Sequence, residues 1–279
     1  MSFLIKFARQ WIAGETLDDA ISRTKKANNS GIGVIINFLG EHVRNKTEAD
    51  RNIEENLGIL QAIEDSKLNA SLSIKLTQLG LDIEKNLCLS NAEKIVSSAA
   101  SKNIFVWIDM ENSPYTGDTI DIYLELFKKY KNAGIAIQSN LKRSESDVRR
   151  IAASGGIIRL VKGAYKEKSE IAYTSRKDVT INFSRLMGYI FYKSSFFAIA
   201  THDELLINEA LEANKAHKKR LEIQMLMGVR EELKSGLVKK GLTVVDYIPY
   251  GKNWFPYSVR RIRERKRNIL LILRSIFDF

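Results

Sequence analysis

Eight short apolar runs punctuate the chain: 32–38 (IGVIINF), 72–76 (LSIKL), 104–110 (IFVWIDM), 135–138 (IAIQ), 157–161 (IIRLV), 196–201 (FFAIAT), 221–225 (LEIQM) and 242–248 (LTVVDYI). Their starts lie 40, 32, 31, 22, 39, 25 and 21 residues apart. Each run is of strand length and apolar on both faces, as strands buried in a parallel sheet are. The intervals are too long for hairpins and suit crossover helices. In 47–66, Ile53, Leu57, Leu60 and Ile63 recur at helical spacing behind Thr47 as N-cap. In 144–153, Ser144 is followed three residues on by Asp147, a variant of the capping box. Gly31, Gly134 and Gly156 stand just before strands, where helix C-caps fall.

Eight β/α units in about 250 residues is the arithmetic of a TIM-type (β/α)8 barrel. The competing architecture is a doubly wound open sheet, which often carries a glycine-rich phosphate loop after its first strand. Here the first run ends in FLGEH, and no GxGxxG or P-loop occurs anywhere. The barrel is therefore the expected fold. Residues 1–30 are expected to form a helical lead-in and 31–279 the barrel, including a basic C-terminal helix.

Charge narrows the class of partner. The 44 basic residues exceed the 33 acidic ones, giving +11. Between Arg260 and Arg274, seven basic residues face one acid, Glu264, and supply +6 of that excess. Such a balance favours nucleic acid, an anionic membrane or an anionic ligand. The single cysteine, Cys88, excludes a disulfide framework within one chain and suits a reducing compartment. His42, His202 and His217 are scattered and offer no zinc spacing, so no metal is expected. The start, MSFLIKFARQWIAG, reads as an amphipathic lead-in and not a signal peptide. No run approaches the roughly 18 apolar residues of a spanning helix.

In a barrel the chemistry sits at the C-terminal ends of the strands. All eight exits here are polar. Glu41 follows the first run, Lys75 lies in the second, and Asp109, Met110 and Glu111 close the third. Gln138 ends the fourth, and Arg159 lies within the fifth, ahead of Lys162, Gly163, Ala164 and Tyr165. Thr201 and His202 end the sixth, Glu222 and Gln224 lie in the seventh, and Tyr247 ends the eighth. A lone charge at a strand end is usually solvated, and a lone histidine is usually a hydrogen-bonded structural one. Lys75, Asp109 and Arg159 are different, because a charge within an apolar run is costly unless it is paired or faces a site. Three of mixed sign at one end point to a polar pocket.

The segment 247–264 (YIPYGKNWFPYSVRRIRE) carries the densest pattern. Tyr257, Arg260 and Glu264 fall on one helical face, and Arg261 is adjacent. That face offers an aromatic plate and guanidinium forks, with a carboxylate to orient them, and it suits a carboxylate or phosphate. The plainer reading is a basic, solvated helix.

Taken together, these residues resemble the proline dehydrogenases. The most specific likeness is WFPYSVRRIRE at 254–264, joined by RLVKGAY at 159–165, IDME, IQSNL, ATHD and FLGE in the family's order. The resemblance spans about 31–265, most of the chain. It implies a distorted barrel with the last helix over the mouth. It also implies oxidation of L-proline to 1-pyrroline-5-carboxylate by hydride transfer to FAD, with electrons passed to a membrane quinone. By the same resemblance, Lys75, Arg260 and Arg261 bind the substrate carboxylate, and Tyr257 and Tyr247 pack around the ring. Asp109 holds that network, and Arg159 tunes the flavin. Met110, Gln138, Val161, Lys162, Gly163, Ala164, Thr201 and His202 hold FAD. Glu41 pairs with Arg260 as a gate, and Glu264 orients the arginines.

Two positions depart from the family pattern. Arg265 replaces a common asparagine after the RRxxE glutamate, and Lys166 replaces an aromatic after KGAY. The length leaves no room for the further regions of bifunctional relatives, so a monofunctional, cytoplasmic enzyme is expected. The basic run at 263–267 followed by ILLIL could lie on the inner face of a membrane, or be an ordinary packed helix. Two other functions compete. A nucleic-acid-binding protein fits the charge, but the basic run has no interleaved aromatics. A metal-dependent barrel hydrolase lacks strand-end histidine pairs.

Overall fold

Each of the eight runs contributes a strand to one closed barrel. They are β1 (Gly33–Phe38), β2 (Ala70–Ile74), β3 (Val106–Ile108), β4 (Ala133–Gln138), β5 (Ile157–Val161), β6 (Phe196–Ala200), β7 (Arg220–Leu226) and β8 (Val244–Tyr250). Neighbours in sequence are neighbours in the sheet, all parallel, and β8 returns to pair with β1 from Gly33↔Val245 to Phe38↔Tyr250. The computed structural model describes residues 8–264, without the side chains of Arg260, Ile262, Arg263 and Glu264.

The helices are α1 (Leu17–Asn29), α2 (Lys46–Asp65), α3 (Lys85–Ser101), α4 (Thr116–Lys129), α5 (Ser144–Ala153), α6 (Arg176–Lys193), α7 (Glu204–His217), α8 (Glu231–Lys239) and α9 (Trp254–Glu264). Strand alternation sorts the apolar residues into two cores. Val34 and Ile36 of β1 face the helices, while Ile35 faces the interior with Trp107, Ala198 and Val245. Phe105, Trp107 and Phe196 pack tilted and edge-on near the strand starts, with centroids 4.8 Å and 5.7 Å apart for Phe105–Trp107 and Phe105–Phe196. This aromatic layer closes the floor of the barrel.

Local chemistry shifts three expected details. The N-cap of α2 is Asn45, whose side chain accepts from Glu48 N at 2.9 Å, not Thr47. Ser144 does not cap α5, because its hydroxyl donates back to the Gln138 carbonyl, and Asp147 takes the Arg143 guanidinium at 2.8 Å and 3.0 Å. Gly134 is not a C-cap but lies within β4, where a Cβ would run into the Trp107 ring. The large floor residue thus requires the small one beside it.

The last helix has been displaced from the wall. α1 packs on both β8 and β1, the place where a helix following β8 would otherwise lie. α9 instead sits at the strand exits, with Tyr257 packed against Leu39 just past β1. The N-terminal segment holds it there. Trp11 Nε1 donates to Ser258 Oγ at 2.9 Å, and Trp254 Nε1 donates to Glu15 Oε1 at 3.0 Å. Backbone bonds from Ala13 N to Pro249 O and from Gly251 N to Gly14 O fix the crossing. The fold is a (β/α)8 barrel, distorted in this one position.

Candidate active site

Asp109 stands one residue past β3 and collects four side chains. Its Oδ2 accepts from Lys75 Nζ at 2.8 Å and from the Tyr247 hydroxyl at 2.7 Å. Its Oδ1 accepts from Ser73 Oγ at 2.7 Å and from the Arg159 guanidinium. The four donors come from β2, its exit, β5 and β8, and only barrel closure brings them together. Lys75, Asp109 and Arg159 are all buried. Asn37, also buried, donates to the Ser73 carbonyl at 2.9 Å, and its Oδ1 lies 3.4 Å from Lys75 Nζ.

The balance of charge is the main property of this cluster. Burial alone would push the Asp109 carboxyl up, but the Lys75 and Arg159 cations and their hydrogen bonds hold it well below the usual carboxylate range. Burial would likewise push the Lys75 ammonium down. The negative charge of Asp109, aided by Glu41, holds it well above its usual value. Burial also raises the Tyr247 hydroxyl far beyond its normal range, with the Asp109 charge adding to it, so it stays a donor. Within the cluster itself two cations, Lys75 and Arg159, therefore face one carboxylate, an excess of positive charge that suits an anion.

Glu41, from the loop after β1, accepts the Tyr165 hydroxyl at 3.3 Å, tying the β1 and β5 exits across the mouth. Tyr257 is buried against Leu39, Trp11 and Ile12, and the Arg261 guanidinium lies 5.2 Å from its ring centre. The side chains of Arg260 and Glu264, and with Arg260 the expected pairing to Glu41, lie outside the described residues. So do Arg265 and the tail at 265–279.

The other half of the mouth is built differently. Gln138, Val161, Ala200 and Gln224 stand side by side in register across β4–β7, and Ala136, Arg159, Ala198 and Glu222 form the row below. Ala136 and Ala198 are the small, buried members of that lower row. Arg159 Nε and Gln224 Oε1 are buried there without a hydrogen-bond partner among the described residues. Gln138 Nε2 donates to the Glu111 carbonyl at 2.8 Å, and Met110 is buried beside Asp109. Lys162 pairs with Asp203 at 2.7 Å and reaches Thr180 Oγ1 at 3.2 Å. Gly163 has φ +108 with the Asn140 side chain where a Cβ would stand, and both it and Ala164 are exposed at the rim. Thr201 Oγ1 accepts Asp203 N at 3.1 Å. His202 Nε2 accepts Leu226 N at 2.9 Å, which places the proton of the neutral ring on Nδ1. An orphaned guanidinium nitrogen and an orphaned amide oxygen beside small side chains leave hydrogen-bonding capacity for a bound group.

Sequence reasoning missed Asn37, Ser73 and Trp107. Two of them carried a faint signal: Ser73 stands two residues before Lys75 and so shares its strand face, and Asn37 breaks an apolar run on the face of Ile35. Among the described residues no group of three or more His, Cys, Asp or Glu side chains could hold a metal ion, and no helix is long and apolar enough to cross a membrane.

The family model described as proline dehydrogenase matches residues 20–269. This chain belongs to the proline dehydrogenase family. Proline dehydrogenase 1 of Bacillus subtilis (strain 168) is 35% identical over 272 residues, covering 96% of this chain and 90% of that protein. Proline dehydrogenase 2 of the same strain is 34% identical, covering 98% and 94%. The crystal structure of proline utilization A from Bdellovibrio bacteriovorus inactivated by N-propargylglycine superposes with a TM-score of 0.88 at 23% identity. That match covers 94% of this chain but 33% of the larger one, and it speaks to the fold alone. In the family's terms, the likeness at WFPYSVRRIRE falls on α9 and the likeness at RLVKGAY on β5 and its exit.

Proposed function

We propose that this chain oxidises L-proline to 1-pyrroline-5-carboxylate with FAD as its bound cofactor, and that the electrons pass on to a membrane quinone. The observation that carries the reading is the buried, net-positive cluster of Lys75, Arg159 and Asp109 beneath an arginine-bearing helix. Lys75, Arg260 and Arg261 would hold the substrate carboxylate, and a charge-assisted contact of this kind is worth about 1.5–3 kcal/mol. Tyr247 and Tyr257 would bracket the ring. Asp109 would act behind them, fixing Lys75, Arg159 and Tyr247 in one setting. Glu41 would close the mouth against Arg260, with Glu264 orienting the arginines.

The residues present fit a flavin, by the orphaned atoms and alanine rows described above. Met110, Gln138, Val161, Lys162, Gly163, Ala164, Thr201 and His202 would hold it, with Arg159 nearest its reacting edge. FAD, when bound, supplies the two-electron acceptor for the hydride leaving the carbon next to the ring nitrogen. The protein's own task is orientation, since the reacting atoms must stand about 3–3.5 Å apart and aligned. The proline amine must be neutral to react. Cations crowded at the carboxylate lower its proton affinity, so the rate rises with pH. Approach to a quinone would use the basic tail, 265–279, as a peripheral contact with an anionic membrane.

Purified protein should be yellow, and L-proline should bleach its flavin absorbance in the absence of oxygen. A colourless protein that cannot be reconstituted with FAD would defeat the reading. Arg159→Met should slow flavin reduction more than it weakens proline binding, and equal losses would remove Arg159 from the flavin edge.

A further inference from the structure

Glu111 is 2% exposed, yet among the described residues no hydrogen bond joins its side chain to the Asp109 cluster. Its Oε1 accepts from Thr77 Oγ1 at 3.0 Å, and its Oε2 has no partner among the described residues. Thr77 stands two residues past Lys75. Its hydroxyl accepts the backbone N–H of His42 at 3.0 Å, and its carbonyl accepts that of Val43 at 3.0 Å. His42 has φ +61, a conformation rare for a residue with a side chain. A hydroxyl has one hydrogen to give. Donated to Glu111, it leaves the Thr77 oxygen's lone pairs for His42. The strained turn beside Glu41 is thus held at its base by a relay running Glu111, Thr77, His42.

We propose that Glu111, acting through the Thr77 hydroxyl, is a positioning residue that sets the loop bearing Glu41 over the Lys75 pocket. The inference rests on the proline reading for its substrate, but the relay itself is a matter of this chain's own geometry. The setting matters because Glu41 adds to the charge sustaining Lys75 and takes the Tyr165 hydroxyl across the mouth. Burial pushes the Glu111 carboxyl up to about 7, against the Thr77 bond that would lower it. The groups whose charges reach it are Lys75 past β2, Glu41 and His42 in the loop, Cys88 of α3, and Tyr115 past β3. Above neutrality the carboxylate accepts a charge-assisted bond from Thr77, and below it that bond weakens. The loop is held more firmly on the alkaline side.

The test compares wild type, Thr77→Val, Thr77→Ser and Glu111→Gln as FAD-loaded enzyme. Two readouts are taken between pH 6 and 8: steady-state oxidation of L-proline with a dye acceptor, and hydrogen-exchange protection of the His42 and Val43 amides. Thr77→Val should raise KM for L-proline roughly tenfold, with a smaller change in kcat, and lower protection at both amides. Thr77→Ser should restore both. Glu111→Gln fixes the neutral form, so its protection at pH 8 should fall to the wild-type level at pH 6. Wild-type protection at both amides in Thr77→Val and Glu111→Gln overturns the inference, whatever the substrate. The expected protection changes in an enzyme inactive on L-proline would instead sink the substrate reading and leave the relay standing.

Discussion

The Tyr247 hydroxyl, carried by the last strand, donates to Asp109, one residue beyond the third, at 2.7 Å. The bond runs across the barrel interior and makes the first and last parts of the chain settle one shared geometry. Because Lys75 and Arg159 end on the same carboxylate, Asp109 is the point on which the pocket's arrangement depends.

Asp109→Asn keeps the shape and removes the charge. It leaves two buried cations facing each other, and breaking a buried ion pair by removing one partner costs about 3–5 kcal/mol. The folded carboxyl is held below its unfolded value of 3.8, so its contribution is present above that pH and lost as pH falls below it. The variant should show a lower guanidinium midpoint at pH 7 and a shallower loss of stability below pH 4. A midpoint equal to wild type at pH 7 would show that the cations find other partners.

Arg260→Ala and Arg261→Ala each remove one charge-assisted contact from the proposed carboxylate site. The loss of about 1.5–3 kcal/mol corresponds to a rise in KM for L-proline of roughly ten- to hundredfold. Arg261→Lys should recover only part of this, since an ammonium cannot reproduce the planar fork over Tyr257. Unchanged KM in both alanine variants would take the carboxylate away from α9.

Gly163→Ala tests the cofactor rim. The added Cβ meets the Asn140 side chain at a positive φ, so the loop must move. Gly155→Ala is the matched control, with φ +71 and open space around its Cβ. The FAD-to-protein ratio after gel filtration should fall for Gly163→Ala and stay near wild type for Gly155→Ala. Equal ratios would mean that the 161–164 rim does not hold the cofactor.

The fold was largely legible because parallel strands bury both faces and stand out as apolar runs. β3 was read too long: 104–110 contains buried flanks, Ile104 and Met110, that never join the ladder Val106–Ile108. The charges of the site were legible for the opposite reason, since Lys75, Asp109 and Arg159 interrupt apolar runs. Asn37 and Ser73 were not, because a neutral polar residue on alternate strand positions looks like an ordinary solvent face. The placement of α9 needed α1 to fill the wall between β8 and β1, a long-range contact that no local pattern encodes. The burial of Glu111 was hidden in the same way. A glutamate at a strand exit reads as solvated until α3 and Thr77 are seen to enclose it.

Glu111 also supplies a pH signature of stability. Its folded value, about 7, lies above the ordinary 4.5, so between those values the folded protein holds a proton that the unfolded chain releases. Stability from this group is full below pH 4.5 and is lost as pH rises through 7. The difference is worth a few kcal/mol at most, at about 1.4 kcal/mol for each tenfold change in proton affinity. Asp109 contributes almost no slope between pH 5 and 8, since its unfolded value of 3.8 and its lower folded one both leave it ionised there. Glu111→Gln removes the proton uptake, so the variant should gain on wild type as pH rises from 5 to 8. Urea midpoints at the two pH values give the comparison directly. A variant-minus-wild-type difference that is the same at pH 5 and pH 8 would mean that Glu111 ionises alike in the folded and unfolded chain, and the relay to Thr77 would lose its switch.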